Sequence, residues 1–438
     1  MCKKRAYINA TIINGDKLVP IIEKGFILVN EDGEIFKTGS MDQLNLPEGY
    51  EVEDLNGKYI MPGLINTHLH IFYDGSPRKE MVGEEMDKYI KMLHTEEGEK
   101  YLLGVAKNCI DTLVNSGVTA IRDVGSVYNH DIIMRNEIKS GKRVGPHVVA
   151  SGSLIVPTAG HGNYFPTMHI ADGPWEGRKA VRTNYARGVD WIKICSTGGV
   201  SDARYIGEAG KPHYTFEEIE AICDEAHRRN LMVATHCQST KGMREALLAG
   251  VDSIEHGGAI EDDMISLFLD NPKSLRGYTA LCPTISAPDA LIKSQAKFTS
   301  SKENAIVFEN CKIIAEGCKS GLLTAIKHGI PVCVGTDAAV PYVSQYNTYK
   351  ELIYINDACE TLSEIDVIQI ATKDSAEIIG LGKITGTLDE GKSADFIVLD
   401  GNPAKDLNVL KNPLHVIAQG NFIKTPLINR IKEIEDIF

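Results

Sequence analysis

The fold is decided by one stretch, Met61-Pro62-Gly63-Leu64-Ile65-Asn66-Thr67-His68-Leu69-His70. Its apolar residues have β-strand character and lead directly into two histidines that are separated by one residue. Because side chains at i and i+2 of a strand point to the same face, His68 and His70 can face one point. Two neutral imidazoles at a strand end can hold a divalent metal such as zinc. For an isolated His-x-His pair, local hydrogen bonding is the alternative role.

Length, charge and cysteine usage restrict the class of protein. A chain of 438 residues suggests one large barrel or two to three domains. The 46 basic and 59 acidic residues give a net charge of −13, which argues against a nucleic-acid or anionic-membrane surface. Ten scattered cysteines without a Cys-x-x-Cys pair indicate reduced thiols. No apolar run reaches about 18 residues, so we expect a cytoplasmic protein without membrane or nucleic-acid partners.

From about residue 60, short apolar strands alternate with helical patterns, which is typical of β/α units around a parallel sheet. Eight such units between residues 60 and 383 predict a (β/α)8 TIM barrel with enlarged loops, and a doubly wound sheet is the alternative. The eight strand candidates are Tyr59–His68, Val118–Val124, His147–Ile155, Asp190–Thr197, Met232–Cys237, Ser253–His256, Tyr278–Ser286 and Pro331–Asp337.

The two ends of the chain have a different pattern. Residues 1–59 contain short alternating strands separated by Asn-Gly and Asp-Gly turns, which are typical of hairpins. Turns and short strands return after residue 383, with strand candidates at Phe396–Leu399 and His415–Gln419. Neither end is long enough to bury a good core alone. We therefore expect residues 1–59 and 384–438 to form one small composite β-sandwich domain, with the catalytic barrel, residues 60–383, inserted between them.

Candidate metal ligands stand at the ends of the predicted barrel strands. The active site of such a barrel lies at the carboxyl ends of its strands. Strand 1 ends in His68 and His70, strand 5 ends in His236, strand 6 ends in His256, and strand 8 ends in Asp337. Four strand ends thus carry nitrogen or oxygen donors at the same edge, and a random scatter of thirteen histidines would seldom do this.

Strand 4 contains one charged residue, Lys193, among apolar neighbours. Both faces of such a strand are expected to be covered, and a buried ammonium is unfavourable unless it is paired or deprotonated. Three roles are open: an ion pair, a Schiff-base lysine of an aldolase-type barrel, or a carbamate formed with carbon dioxide that bridges two metals. The four histidines in the same ring favour the carbamate.

These segments together resemble the amidohydrolase superfamily, in the branch related to imidazolonepropionase that contains prolidase-like and Xaa-Arg/Lys carboxypeptidase enzymes. The resemblance runs nearly end to end, and the ordered set of motifs is far more specific than His-x-His alone. It rests on Pro62–His70, Gly188–Val200, Thr235-His236, Ser253–Gly257, Gly335-Thr336-Asp337, Ala371–Ala376 and Gly386–Asp395.

The resemblance implies a binuclear metal site, with zinc as the expected metal. A hydroxide that bridges the two ions would attack the amide, and Asp337 would serve as general base and then as general acid. Carbon dioxide would be incorporated as N6-carboxylysine at position 193. The implied ligands are His68, His70 and Asp337 for the more buried ion, His236 and His256 for the more exposed ion, and carboxylated Lys193 between them.

Two loops at the predicted mouth of the barrel supply candidates for substrate contacts. His161 lies between glycines in the loop after strand 3, where it could hydrogen-bond the tetrahedral oxyanion; an exposed turn is the alternative. In the loop after strand 4, Arg204 or Tyr205 could meet a substrate carboxylate. In the same loop, Asp202 or Glu208 could meet a cationic side chain.

The segment His236-Cys237-Gln238 bears on the type of reaction. Deaminases of the superfamily carry His-x-Glu here, whereas this chain has Gln238 in place of the Glu. Imidazolonepropionase and other one-metal relatives do not use the strand-4 lysine, which this chain has as Lys193. Both features of this chain favour amide or peptide hydrolysis over deamination. Gln238 itself is a candidate substrate contact. Some prolidase-like relatives have an aromatic residue there, so we do not expect their way of holding the substrate carboxylate to transfer to this chain.

We therefore expect cleavage of an amide or peptide bond next to a free carboxylate in a small-molecule or dipeptide substrate. A dipeptidase or carboxypeptidase that releases C-terminal Arg, Lys or Pro is the specific prediction. The alternatives are an N-acyl amino acid or ochratoxin-type amidase, a cyclic amidohydrolase, a lyase with Lys193 as Schiff base, and a non-catalytic scaffold. The family tendency implies a homo-oligomer, for which an octamer is one expected form.

Overall fold

The computed structural model describes residues 2–437, which form strands and helices in alternation over most of the chain. The strands are β1 (Arg5–Ile12), β2 (Ile22–Val29), β3 (Ile35–Ser40), β4 (Glu51–Asp54), β5 (Tyr59–Pro62), β6 (Leu64–Leu69), β7 (Val118–Asp123), β8 (His147–Ala150), β9 (Ile155–Val156), β10 (His169–Ile170), β11 (Trp191–Cys195), β12 (Met232–Cys237), β13 (Ser253–His256), β14 (Ala280–Cys282), β15 (Phe396–Leu399), β16 (His415–Ala418) and β17 (Asn421–Ile423). The helices are α1 (Glu84–Leu93), α2 (Glu96–Asn115), α3 (His130–Lys139), α4 (Pro174–Arg187), α5 (Phe216–His227), α6 (Thr240–Ala249), α7 (Asp262–Leu269), α8 (Ser286–Ser294), α9 (Lys302–His328), α10 (Thr348–Ala358), α11 (Glu364–Gln369), α12 (Ser375–Ile379) and α13 (Lys432–Glu435).

The first and last strands of the chain belong to one eight-stranded sheet. Its order is β17-β16-β15-β5-β1-β2-β3, and β4 pairs with β1. The two ends of the chain meet where β15 pairs antiparallel with β5, so that Phe396 opposes Pro62. This sheet reaches past residue 59, and the predicted domain limits at 59 and 384 stay predictions.

The terminal sheet closes on its own core as a small β-sandwich. Register shifts on either side of Ala10 bend β1, which pairs with β2, β4 and β5 along its length. Inside the bend, the rings of Tyr7 and Phe396 meet edge to face with their centroids 5.0 Å apart. Residues from both ends of the chain therefore share one hydrophobic core, because neither end contains enough apolar surface to form a core alone.

The middle of the chain is the (β/α)8 barrel. Its strands form a three-stranded parallel sheet, β6-β7-β8, and a six-stranded parallel sheet, β10-β9-β11-β12-β13-β14. The amide of Asp190 donates to the Ala150 carbonyl oxygen at 2.7 Å and joins β8 to the start of β11. On the other side, the Thr67 amide donates to the Val334 carbonyl oxygen at 2.7 Å. Inward-facing apolar residues on successive strands fill the lower barrel: Ile65, Ala120, Val149, Trp191 and Ala234.

Four predicted strands differ from the observed ones. The expected strand Tyr278–Ser286 is observed only as β14 (Ala280–Cys282), because Thr284 has a left-handed backbone and Ser286 begins α8. The expected strand Tyr59–His68 is divided at Gly63 into β5 of the terminal sheet and β6 of the barrel. Gly63 packs so closely on Thr119 that a Cβ atom there would collide with the threonine side chain. The expected strand His147–Ile155 is interrupted between β8 and β9. The expected strand Pro331–Asp337 forms no continuous ladder within residues 2–437: it has an isolated bridge at Val332 and single backbone hydrogen bonds such as that from the Thr67 amide to Val334, and it ends at residue 337, which has a left-handed backbone.

All ten cysteines are free, and nine of them are buried. Within residues 2–437, no helix is both long and apolar enough to span a lipid bilayer.

Candidate active site

Two histidines and one aspartate meet at the carboxyl end of the barrel. His68 lies near the end of β6, and His70 directly follows that strand. Their Nε2 atoms lie 3.4 and 3.5 Å from Oδ1 of Asp337. Although burial opposes ionisation, the close approach of the His68 and His70 rings holds the pKa of the Asp337 carboxyl well below its usual range. The site therefore has a carboxylate that faces two imidazole nitrogens.

The other nitrogen of each ring is already hydrogen-bonded. Nδ1 of His68 lies 2.6 Å from Oε2 of Glu255, and Nδ1 of His70 lies 2.9 Å from the carbonyl oxygen of Gly125. Because these oxygens accept, both Nδ1 atoms donate, and a neutral ring then points the lone pair of its Nε2 at Asp337. Burial lowers the pKa of His70, which favours that neutral ring. Two acceptors that face each other need a cation between them.

A buried ion pair lies behind His68. Nη2 of Arg122 lies 2.7 Å from Oε1 of Glu255, and Nε of Arg122 donates to the Thr67 carbonyl oxygen at 2.7 Å. The guanidinium also lies 4.5 Å from the ring centroid of Trp191. Although burial opposes ionisation, Arg122 and His68 hold the pKa of Glu255 well below its usual range. Glu255 is therefore a fixed anion that orients the His68 ring.

His256 and His236 complete a ring of imidazoles. The ring centroid of His256 lies 4.8 Å from that of His68 and 4.7 Å from that of His236. Nδ1 of His256 lies 2.7 Å from Oγ1 of Thr284, and Nε2 of His236 lies 3.2 Å from the Gly198 carbonyl oxygen. Burial lowers the pKa of both rings well below the usual histidine value, so both are neutral at pH 7. Each ring keeps one nitrogen for a ligand.

Lys193 points into the same barrel interior and is 2 % exposed. No hydrogen bond or ion pair reaches its Nζ from the part of the chain that the structure describes. Burial lowers the pKa of this amine, although the charges of Glu255 and Asp337 oppose the shift. A buried amine without a hydrogen-bond partner is unfavourable as it stands. The position therefore calls for a partner that the described residues do not supply.

The donor set fits a divalent metal. Side-chain donor atoms of His68, His256 and Asp337 all lie within 4.8 Å of one another. Imidazole nitrogen and carboxylate oxygen are the donors that zinc and related divalent ions accept in proteins. The neutral state of His256 agrees with this, because a ligating imidazole must have an unprotonated nitrogen.

His161 approaches this cluster from the loop that follows β9. Its ring stacks on that of His236 with the centroids 4.1 Å apart. Nδ1 of His161 contacts the carboxylate of Asp202, which also accepts a hydrogen bond from the Gly199 amide at 3.2 Å. Although burial opposes protonation, the charge of Asp202 raises the pKa of His161. The structure therefore brings His161 to the cluster and holds it there through Asp202.

The predicted substrate contacts are placed less centrally. Nη2 of Arg204 lies 2.6 Å from Oε1 of Glu208, and the Arg204 side chain is 83 % exposed. The hydroxyl of Tyr205 lies 2.8 Å from Nζ of Lys211. These rim residues pair as Arg204 with Glu208 and Tyr205 with Lys211, and no hydrogen bond joins them to the histidine cluster within residues 2–437. Gln238 directly follows β12, and its Oε1 is buried with no hydrogen-bond partner within residues 2–437.

Sequence reasoning missed the roles of Arg122, Glu255 and Thr284. Arg122 carried a usable signal, because it is a charged residue inside an apolar strand, as Lys193 is. Glu255 precedes His256, and regular strand alternation assigns neighbouring residues to opposite faces. The left-handed backbone of His256, with φ 68°, breaks that alternation. Thr284 carried no signal, because its contact with His256 depends on its own left-handed backbone, with φ 46°.

Comparisons with known proteins agree with this geometry. The model of the Amidohydrolase family matches residues 59–423. The fold is similar to that of a prolidase-like protein from Bifidobacterium longum, with a TM-score of 0.86 and 36% identity over 100% of this chain and 98% of that chain. It is also similar to a Xaa-Pro dipeptidase with methionine bound in its active site, with a TM-score of 0.82 and 26% identity over 96% of this chain and 100% of that chain.

Among curated proteins, the ochratoxinase of Aspergillus niger is 27% identical over 93% of this chain and 87% of its own length. The parallel barrel, its terminal sheet and a histidine-carboxylate cluster at the strand ends define a barrel hydrolase with a metal-binding site. The chain belongs to the amidohydrolase family, and it is a hydrolase that acts on amide bonds. The resemblance seen in the sequence is thereby confirmed.

Proposed function

We propose that this protein is a binuclear, zinc-dependent dipeptidase or carboxypeptidase that cleaves the amide bond next to a free carboxylate and releases C-terminal Arg, Lys or Pro. One observation carries the proposal. Nε2 atoms of His68 and His70 face the Asp337 carboxylate at 3.4 and 3.5 Å in a ring that includes a buried lysine without a partner. The cytoplasmic location of the protein and its assembly as a homo-oligomer, for example an octamer, stay predictions.

The proposed ligands divide into two groups that share one bridge. His68, His70 and Asp337 would hold one ion, because their donor atoms already face one another. His236 and His256 would hold the other ion through the nitrogens that are left free. Among zinc, manganese and other divalent ions, nitrogen-rich donor sets favour zinc.

Carboxylation of Lys193 would join the two groups. The neutral amine nitrogen attacks carbon dioxide and loses a proton, which produces a carbamate with one negative charge shared by two oxygens. Deep burial of Lys193 without a partner supports this modification, because burial disfavours the ammonium form and the carbamate oxygens would gain ligands. Lys193 is close enough to His70, His236 and His256 for its charge to lower the pKa of each ring, so it is near members of both proposed groups.

Two divalent ions, when bound, supply a hydroxide at neutral pH and polarise the substrate carbonyl. The protein contributes the proton transfers. Asp337 would accept a proton from the attacking water and return it to the nitrogen of the leaving amine, so that water and amide become an acid and an amine. His161, held by Asp202, would donate a hydrogen bond to the oxyanion. Gln238 would contact the substrate through its unpaired amide oxygen.

The relatives support a substrate with a free carboxylate. The similar Xaa-Pro dipeptidase has methionine, a free amino acid, in its active site. Arg204 or Tyr205 would bind this carboxylate in our proposal. To do so, Arg204 must exchange its present partner Glu208 for the substrate.

A second candidate function is an N-acyl amino acid or ochratoxin-type amidase. The relation to ochratoxinase over 93% of this chain favours it specifically. A cyclic amide is a further substrate class for the same site. A lyase with Lys193 as Schiff base is the alternative from another class of enzyme, and borohydride with a carbonyl substrate would then label Lys193.

The test is metal analysis combined with a substrate library. We expect two zinc ions per chain and release of amino acid from Xaa-Arg, Xaa-Lys or Xaa-Pro dipeptides, with loss of activity in a chelator. Inactivity on every dipeptide, with turnover of an N-acyl aromatic amino acid or a cyclic amide, would support the second candidate instead. Chelator-resistant activity together with borohydride labelling would support the lyase.

A further inference from the structure

A cavity of about 460 Å³ lies beside the histidine cluster, between α1 and the loops that carry His161 and Asp202. Asp202 lines this cavity and contacts His161, and the ring of His161 stacks on that of His236. The cavity is therefore next to the histidine cluster, and the side chains of Asp202 and His161, which contact each other, lie between the two.

The wall formed by α1 and the residues before it is apolar. Met86 and Ile90 are four residues apart on α1, so they share one face of the helix. Met81 and Val82 extend this surface before the helix begins, and Tyr164 lies across from it. Thioether, aliphatic and aromatic groups favour an apolar ligand group and offer it few hydrogen bonds.

Arg78 holds this wall in place. Its guanidinium lies 4.2 Å from the ring centroid of Tyr73 and 4.1 Å from that of Tyr89. Its Nη1 lies 3.2 Å from Sδ of Met86. The amide of Met81 also donates to Oδ1 of Asn304, at 3.3 Å. Such contacts on several sides preorganise the cavity for a ligand.

The charges around the cavity leave no net attraction for an ionic side chain. Asp87 and Lys91 line it one helical turn apart, and their opposite charges compensate each other. The third charged group that lines it, Asp202, is in contact with His161. An apolar side chain is therefore the ligand group that the cavity suits best.

We propose that this cavity is the subsite for the side chain of the acyl residue, and that it selects aliphatic or thioether groups such as those of Leu and Met. The inference rests on the proposed function, because it takes the amide carbonyl to lie between His161 and Asp337. Asp337 returns a proton to the leaving amine, so the amine part lies on the Asp337 side. The loop of residues 338–343 beyond Asp337 contributes no residue to the cavity. The acyl part is therefore the part that reaches it.

The test uses a series of dipeptides that differ only at the first residue. All carry the same C-terminal residue, the one cleaved best in the dipeptide library described under the proposed function. For the zinc-loaded protein, we expect kcat/KM to be at least about tenfold higher with Leu or Met than with Ala, Asp or Lys at that position. Ile90→Trp should fill the cavity. It should lower kcat/KM for the Leu substrate by at least about tenfold and leave the Ala substrate within about threefold.

Lys88→Trp is the matched control, because Lys88 lies on the same helix, is exposed and does not line the cavity. This variant should leave kcat/KM unchanged for both the Leu and the Ala substrate. If Ile90→Trp does not fold, Met86→Ala tests the same wall and should reduce the preference for Leu over Ala. An unchanged Leu-to-Ala ratio in a folded variant of the wall would overturn the proposal.

Calorimetry separates failure of this inference from failure of the proposed function. Free leucine and alanine are titrated into the zinc-loaded wild type and the folded variants. If no dipeptide is cleaved, the proposed function fails. Tighter binding of leucine that is lost in Ile90→Trp would still support the subsite, whereas equal binding of the two amino acids would overturn it.

Discussion

Nδ1 of His68 donates to Oε2 of Glu255 over 2.6 Å, and Glu255 is in turn held by Arg122 at 2.7 Å. A proposed metal ligand is therefore oriented by an ion pair in the centre of the barrel. Groups that orient a ligating histidine raise metal affinity by fixing its tautomer and ring position.

The first prediction concerns this relationship. Glu255→Gln should weaken zinc binding by about 10- to 100-fold, because the His68 ring loses a fixed anionic acceptor. The free energy of unfolding should also fall, because Arg122 is left buried without a negative partner. Competition with a coloured chelator measures the affinity, and urea unfolding measures the stability.

Glu225→Gln is the control for Glu255→Gln. Glu225 is also a buried carboxylate, paired with Arg182 and Arg229, but it lies on the outer helix α5. This variant should lose stability and keep its zinc affinity. Equal zinc affinity in Glu255→Gln and the wild type would remove the orienting role of Glu255.

The second prediction concerns the carbamate. Lys193→Ala should lose bound metal and activity, because the two histidine groups would no longer share a bridge. Metal-free wild type should regain activity better with zinc plus bicarbonate than with zinc alone. Lys211→Ala, which changes a lysine at the rim, should keep its metal. Full metal content and turnover in Lys193→Ala would exclude the bridge.

The third prediction concerns the contact between His161 and Asp202. His161→Ala should lower kcat by about 100- to 1,000-fold, the range for loss of one oxyanion donor. Asp202→Asn should lower kcat by at least about tenfold, because Asp202 positions His161. The two effects should not add in the double variant, since both act through one hydrogen bond to substrate. If the losses of kcat in the two single variants add in the double variant, Asp202 does not act through His161.

The fourth prediction concerns the joint between the barrel and the terminal sheet. Nε2 of His147 on β8 lies 2.9 Å from Oδ2 of Asp395, which directly precedes β15. Burial opposes protonation of His147, yet the charge and hydrogen bond of Asp395 raise the His147 pKa. Burial also opposes ionisation of Asp395, yet His147 lowers its pKa.

The sign of each shift defines a pH window. A histidine whose pKa is raised by folding contributes its full stabilisation below its pKa in the unfolded chain, about 6.5. That contribution is lost as pH rises through the pKa of the folded state. An aspartate whose pKa is lowered by folding contributes its full stabilisation above its pKa in the unfolded chain, about 3.9. That contribution is lost as pH falls through the pKa of the folded state. The pair should therefore stabilise most between about pH 4 and pH 6.5.

His147→Gln should accordingly reduce the free energy of unfolding more at about pH 6 than at about pH 8.5. Urea titrations at both pH values measure the difference. His328→Gln changes an exposed histidine at the end of α9 and should show little effect at either pH. An equal loss for His147→Gln at both pH values would contradict the ion-pair account.

The candidate cluster could be anticipated because a parallel barrel brings all strand ends to one edge. His68, His236 and His256 each stand at or near the end of a short apolar strand, so a linear pattern was enough to locate them. The rim residues could not be placed in this way. Arg204 has Glu208 as its partner in a loop, and no strand or helix periodicity constrains where that side chain points.

The sequence by itself determined the β/α alternation, the hairpin character of the ends and the positions of the candidate ligands, because these depend on local periodicity. Only the tertiary structure decided which atoms meet. His256 and Asp337 reach the cluster through left-handed backbones, with φ 68° and 55°, that local propensity disfavours. Such conformations persist because packing and long-range hydrogen bonds compensate their strain, as in the pairing of His68 with Glu255 across 187 positions of the chain.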